Sequence, residues 1–196
     1  MMFLVHTKAC LYDKYLGIDT SGESLSVAND QSTYKDMRGC WPTFYGLIEE
    51  ILCYLKLTKD DVFVDLGCGT GRVVFFVAQK KIKKVIGIEL DPAYFSILKA
   101  NFRTLRNKRS PIELLNIDVV SFDPAESTIF YMFNPFGQST LEALLLKIRK
   151  SLYSNPRTIR IVYYNPAFRE YLDGQDWLYC KGPIANGKIY IWSNKK

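Results

Sequence analysis

Residues 62–76 read VFVDLGCGTGRVVFF: a short apolar, β-branched run, glycines at 67, 69 and 71, then a second apolar run opening with Arg72. A buried strand, a tight turn and a helix account for that order. In an open parallel sheet, ligands bind beyond the carboxyl ends of the strands, where glycines let the backbone turn sharply and approach closely. Dinucleotide folds place pyrophosphate there with the spacing G-x-G-x-x-G. Here the pattern is D-L-G-C-G-T-G, so the third glycine comes one residue early and a carboxylate, Asp65, leads it. At short range that carboxylate repels a pyrophosphate and attracts an ammonium or sulfonium. The loop therefore suits a ligand of cationic character.

Outward from this stretch, strand-like and helix-period segments alternate. DVFVDL (61–66), KKVIGIEL (83–90), PIELLN (111–116), STIFYMF (127–133) and RTIRIVYY (157–164) read as buried strands. Between them, Tyr94, Ile97, Leu98 and Leu105 share one helical face, as do Leu141, Leu144, Leu145, Ile148 and Leu152. Asp91 and Pro92 are a good cap and first-turn pair for the earlier helix. Phe44, Leu47, Ile48, Ile51 and Leu55 predict another amphipathic helix upstream. This alternation predicts an α/β domain: a doubly wound, three-layer arrangement with a mostly parallel sheet. DWLYCKG (176–182) and GKIYIWS (187–193), joined by PIAN, predict a closing antiparallel hairpin. Residues 1–40 are expected to form an N-terminal cap or lid on a domain of residues 41–196, because 17–40 are polar and rich in Ser, Asp and Gly.

Two further carboxylates stand at strand ends. Glu89 closes GIELD, 24 residues after Asp65, where an acidic group can accept both hydroxyls of a ribose. Asp118 in NIDVV can accept a hydrogen bond from an exocyclic amine such as that of adenine. Each is alternatively a helix cap or a solvated loop carboxylate, and Cys68 is a small filler between glycines. Three carboxylates at successive strand ends nevertheless describe a nucleoside that carries an amino acid in place of phosphate.

In order and spacing, VDLGCGTGR, GIELD and NID resemble the class I, Rossmann-like S-adenosylmethionine-dependent methyltransferases, over roughly residues 34–193. The resemblance implies a seven-stranded sheet and S-adenosyl-L-methionine as cofactor. It implies that Asp65, Gly67, Gly69 and Gly71 line the methionine and ribose part. Glu89 would take the ribose hydroxyls, and Asp118 with the backbone of Val119 would read adenine. YKDMRGCWPTF is similar to the family's Y-x-P-T region with a stretched spacing, which brings Tyr34 and Thr43 to the methionine end.

The fourth strand ends in FNPFG, at the position of the family's amino-methylation motif, with Phe136 where a second proline is usual. By that resemblance the side-chain carbonyl of Asn134 and the backbone carbonyl of Pro135 accept the two N–H groups of an amine, and Phe136 stabilises developing positive charge through its ring. Asn-Pro is also a good strand stop in its own right, and it recurs in YYNPAF at the end of the fifth strand. Both readings of Asn134 stand. The expected activity is N-methylation of a protein side chain or small amine. The alternatives are a cofactor-binding module without turnover, an RNA or nucleobase amino-methyltransferase, and a nucleotide-dependent oxidoreductase, which Asp65 opposes.

Composition narrows the class further. The 196 residues are 48% hydrophobic and 23% charged, which suits one globular domain. No apolar run approaches the ~20 residues of a membrane helix, and His6 and Lys8 interrupt a signal-peptide core, so a cytoplasmic protein without membrane contact is expected. Five scattered cysteines and a single histidine give no metal-ligand spacing and no Ser-His or Cys-His pair. The net charge of +6 invites nucleic acid. However, Lys80, Lys81, Lys83, Lys84, Arg103, Arg106, Lys108 and Arg109 fall between helix ends and strand starts, opposite the expected cofactor face. Without these eight, 18 of the 26 basic residues face 20 acidic ones. A protein amine or small molecule is thus favoured over nucleic acid as methyl acceptor, and no metal is expected.

Overall fold

A computed structural model describes residues 10–21 and 41–196. Its centre is β1 (Val62–Leu66), every residue of which is buried. A strand covered on both faces favours apolar residues throughout, and Val62, Phe63, Val64 and Leu66 follow that pattern while Asp65 breaks it. The chain continues through α3 (Arg72–Val77), β2 (Lys84–Ile88), α4 (Pro92–Thr104), β3 (Ile112–Leu115), β4 (Ile129–Met132), α5 (Gln138–Ser154) and β5 (Arg160–Tyr164). Residues 10–16 (α1) and α2 (Tyr45–Leu55) precede β1; α6 (Arg169–Asp173), β6 (Tyr179–Ile184) and β7 (Ile189–Ser193) end the fold.

The seven strands lie in the order β3-β2-β1-β4-β5-β7-β6, with β1 to β5 parallel and β7 antiparallel to both β5 and β6. The order reverses at β1, which opens the crevice between β1 and β4. Side chains alternate between two cores. Phe63, Ile129, Tyr131 and Val162 pack with α2, α3, α4 and Leu16 of α1. Val62, Val64, Leu66, Phe130 and Met132 pack with Leu141, Leu144, Leu145 and Ile148 of α5 and with Leu172 of α6.

Local details differ from the sequence expectation for identifiable reasons. Phe44 is the half-exposed N-cap of α2, and Tyr45 and Leu52 take the buried face beside Ile48, Ile51 and Leu55. Strand β6 runs through Pro183 and Ile184, so the turn is Ala185–Lys188 and not PIAN. Ala185, Asn186 and Gly187 all have positive φ, and proline is tolerated because β6 is an edge strand with a register shift at Cys180/Pro183. The five-residue α6 gave no periodicity to read. Asp91 caps α4 as expected, accepting the N–H groups of Ala93 and Tyr94, with Pro92 in the first turn.

The described part of the N-terminal segment is built into the first core. Leu16 and Ile18 are buried, and Asp13 accepts the Thr20 N–H at 2.9 Å. Among the described residues, no helix is long and apolar enough to cross a membrane.

Two glycines test how tightly the loop is packed. At Gly71 (φ +97°) a Cβ would stand 2.4 Å from both Leu98 Cδ1 and Phe75 Cε2, whereas at Gly46 on α2 it would meet nothing. Gly71→Ala is expected to cost about 2–4 kcal/mol and lower Tm by roughly 5–15 °C. Gly46→Ala should gain about 0.5–1 kcal/mol. Thermal melts of the two variants, read against the parent, check both signs.

Candidate functional site

At the carboxyl end of β1 the chain turns through Gly67, Gly69 and Gly71, with φ of +79°, +54° and +97°. Only glycine adopts this run of left-handed positions without strain. Gly67 and Cys68 both donate their N–H to the Ile88 carbonyl at 2.9 Å, and Gly69 N–H donates to Glu89 Oε2 at 2.8 Å. The loop is therefore stitched to the end of β2. Glu89 Oε1 accepts the Asp91 N–H at 2.9 Å, so both carboxylate oxygens are engaged by backbone while each keeps a second lone pair.

Asp65 is 2% exposed, and no hydrogen bond or ion pair to it is found among the described residues. Burial raises its carboxyl pKa well above the ordinary range, and the neighbouring Glu89 charge adds to the rise. Glu89 is raised as well, chiefly by burial, although the N–H bonds from Asp91 and Gly69 pull the other way. Two carboxyl groups thus share one buried corner with no described cation between them. A cationic ligand relieves that arrangement and a pyrophosphate aggravates it.

The other anticipated residues lie around this corner. Thr43 is buried, and its hydroxyl is 2.6 Å from the Tyr131 hydroxyl. Tyr131 is the register partner of Asp65 across the β1–β4 pair, so the two side chains share a face. Its phenol is raised far up, first by burial and then by the Asp65 charge, which keeps it neutral. Asp118 is exposed and caps a short 3-10 turn (Val119–Ser121), accepting the Val120 N–H at 3.0 Å; Val119 is buried. Tyr34 lies outside the described residues.

FNPFG meets the glycine loop directly, since a Cβ on Gly67 would fall 2.4 Å from Pro135 Cβ. Gly67 is thus needed for the approach of Pro135 as much as for the turn. Asn134 has φ +46°. Its Oδ1 accepts the Tyr163 hydroxyl at 2.7 Å and the Ala167 N–H at 3.3 Å, and its Nδ2 donates to the Asn165 carbonyl at 2.7 Å. The side chain thereby ties the end of β4 to the loop after β5. Phe136 is buried in the second core. Trp41 and Phe44, flanking Thr43, are 77% and 50% exposed.

Several residues of the site carried no signal in the sequence. Tyr131 looked like one more apolar strand position. Asn116 bridges β2 and β3 by donating Nδ2 to the Glu89 carbonyl at 2.8 Å and the Leu90 carbonyl at 3.0 Å. Asp13, Thr20, Arg72 and Asn101 converge on the loop exit. Cys68 is buried, its Sγ 3.0 Å from where a Gly87 Cβ would stand. A groove of about 600 Å³ bordered by Gln79, Lys80, Lys81 and Arg109 opens at the α3–β2 connection, the opposite edge of the sheet. Lys83 and Lys84 pair there with Glu126 at 3.5 Å and Glu113 at 3.0 Å. Among the described residues, no group of three or more His, Cys, Asp or Glu could hold a metal ion.

The family described as "Histone methylation protein DOT1" matches residues 33–112, a span that includes the glycine loop and Glu89 and stops before Asp118 and Asn134. A histone-lysine N-methyltransferase, H3 lysine-79 specific, from Dictyostelium discoideum is 30% identical over 75% of this chain and 9% of its own length. Ribosomal RNA small subunit methyltransferase A of Persephonella marina is 32% identical over 32% of this chain and 23% of its own length. The chain therefore spans only a minor part of either relative. The crystal structure of an RNA methyltransferase from Salinibacter ruber in complex with S-adenosyl-L-homocysteine superposes with a TM-score of 0.57 at 19% identity, covering 78% of this chain and 92% of that one.

Asp65 gives a pH signature of its own. Because folding raises its pKa, the stability it contributes is fully present below the ordinary carboxylate range near pH ~4 and is lost as pH rises through the raised folded value. Asp65→Asn should match the parent near pH ~4 and exceed it increasingly toward neutrality. Denaturant titrations of both proteins across pH give the difference, and a gap that closes with rising pH would sink this assignment.

Proposed function

Because the chain belongs to the class I S-adenosylmethionine-dependent methyltransferases, we propose that it transfers the cofactor's methyl group to a protein side-chain amine or small amine. The observation that carries this reading is the buried pair Asp65 and Glu89 on the glycine loop, with no described cation beside Asp65.

The residues present fit the cofactor. Asp65 offers a desolvated carboxylate to an ammonium, Glu89 has lone pairs left for ribose hydroxyls, and Asp118 with the Val119 backbone stands one strand further out for adenine. When bound, the cofactor supplies a methyl group already activated by sulfonium for in-line displacement. The chain then has to bind, orient and keep water out. Thr43 and Tyr131 close the β1–β4 corner. Pro135, packed on Gly67, brings FNPFG to the glycine loop, where the acceptor nitrogen has to arrive. The bonds Asn134 makes to Tyr163, Asn165 and Ala167 fix the direction of the Asn134–Pro135 peptide. On this reading its side chain sets where carbonyl acceptors stand for the amine, and Phe136 supports that loop from the core.

Three observations favour a protein or small amine over a nucleobase. The match to a histone-lysine methyltransferase takes in 75% of this chain, against 32–60% for the ribosomal RNA methyltransferases. The basic groove lies at the opposite edge of the sheet from the glycine loop. Exposed Trp41 and Phe44 offer ring faces to a cationic acceptor beside Thr43.

Labelled S-adenosylmethionine incubated with cell extract, then fractionated into protein, RNA and small molecules, tests the acceptor. Label in protein or small amines is expected; label confined to RNA would replace the reading with nucleobase methylation. Asn134→Ala should lower incorporation roughly tenfold or more through misplacement of the acceptor. Cofactor binding should also release a proton, because Asp65 ionises beside the incoming cation, so affinity rises with pH until Asp65 is ionised in the free protein. Calorimetry in buffers of different ionisation enthalpy measures that proton, and Asp65→Asn should abolish it.

A further inference from the structure

Arg72, delivered by Gly71 into the first turn of α3, has a guanidinium that is not solvated: the residue is 6% exposed. Its Nε donates to Thr20 Oγ1 at 2.7 Å, and its two terminal nitrogens donate to the Thr20 carbonyl at 3.0 Å and the Thr43 carbonyl at 3.5 Å. Asp13, 3.9 Å from the guanidinium, balances the charge and accepts the Thr20 N–H and hydroxyl and the hydroxyl of Tyr45. The Tyr45 ring lies 5.1 Å from the guanidinium carbon. Asn101 adds a second clamp: it accepts the Asp19 N–H at 2.9 Å and donates to the carbonyls of Asp19 at 2.8 Å and Thr70 at 3.0 Å.

Residues 13–20 and Thr43 are far from the glycine loop in sequence, yet both are pinned to its exit by one planar fork. A lysine cannot reproduce that geometry, because it places a single ammonium where Arg72 divides its donors among three acceptors. A buried charge of this kind is a poor way to gain stability and a good way to fix register. What it registers is Thr43, whose hydroxyl meets Tyr131, the neighbour of Asp65. The strand order β3-β2-β1-β4 sets Asp118, Glu89 and Asp65 in a row along the strand ends, and the network meets that row at Asp65, through Thr43 and Tyr131.

We propose that Arg72, with Asp13, is a positioning residue for the amino-acid end of the cofactor. It holds Thr43, and through Thr43 the Tyr131 hydroxyl, beside Asp65, and leaves the nucleoside half alone. The inference rests on the cofactor reading given under Proposed function.

Two ligands separate the halves. S-adenosylhomocysteine carries the amino-acid chain, and 5′-methylthioadenosine has the same nucleoside without it. Calorimetric titration of the parent, Arg72→Lys and Asp13→Asn should show the first ligand weakened roughly tenfold in Arg72→Lys while the second stays within about twofold. Asp13→Asn should give the same pattern with a smaller loss. Equal weakening of both ligands, as general loosening would produce, overturns the proposal, as does no change in either. Should Arg72→Lys fail to fold by thermal melt, Thr20→Val carries the same expectation, since it removes one acceptor of the fork at nearly constant volume. A parent protein that binds neither ligand would overturn the cofactor reading itself, an outcome distinct from loss in the variants alone.

Discussion

The hydrogen bond from Gly69 N–H to Glu89 Oε2, 2.8 Å long, joins the glycine loop after β1 to the carboxylate at the end of β2. With the two N–H bonds onto the Ile88 carbonyl it fixes the glycine loop against β2. Everything else at the site is placed relative to that loop. Gly67 admits Pro135 and so the β4 loop, Gly71 admits Leu98 and Phe75, and Arg72 gathers the N-terminal segment. The cost is electrostatic, since Asp65 and Glu89 are brought together out of water and both carboxyl groups are harder to ionise. A binding site for a cation is the constructive use of such a corner.

The same constraint accounts for the division of labour between the sheet edges. At the carboxyl edge the strands end in carboxylates and carbonyls around the glycine turn. At the other edge lie clustered lysines and arginines, some paired with Glu113 and Glu126 and others bordering the groove beside the α3–β2 connection. Net charge therefore describes this protein poorly. The excess is basic, while the proposed ligand corner is acidic.

Much of the fold was legible because β1, β4 and β5 are covered on both faces. Burial on both faces produces the uninterrupted apolar runs VFV, IFYM and IVYY, and the turns between them carry glycine, proline and aspartate for local reasons. Legibility failed where geometry came from pairing. The Ala185–Lys188 turn depends on the β6–β7 register, and α6 is too short to show a period. Phe44 fits the helical pattern of α2 but falls one residue before the helix, at its half-exposed cap.

For the site, the sequence by itself determined which chemical groups stand at which strand ends: Asp65, the three glycines, Glu89, Asp118 and Asn134-Pro135. Local pattern sufficed, because each lies at the end of an apolar run and a parallel strand presents its ligands at that end. Only the tertiary structure decided what those groups touch. Asn134 spends its side chain on Tyr163, Asn165 and Ala167, Phe136 turns into the core, and Thr43 reaches Tyr131. Arg72, an ordinary residue after a glycine in the sequence, becomes a buried fork, because its acceptors lie 52 and 29 positions away along the chain. Contacts across such separations follow from strand order and helix packing, which no short stretch of sequence encodes.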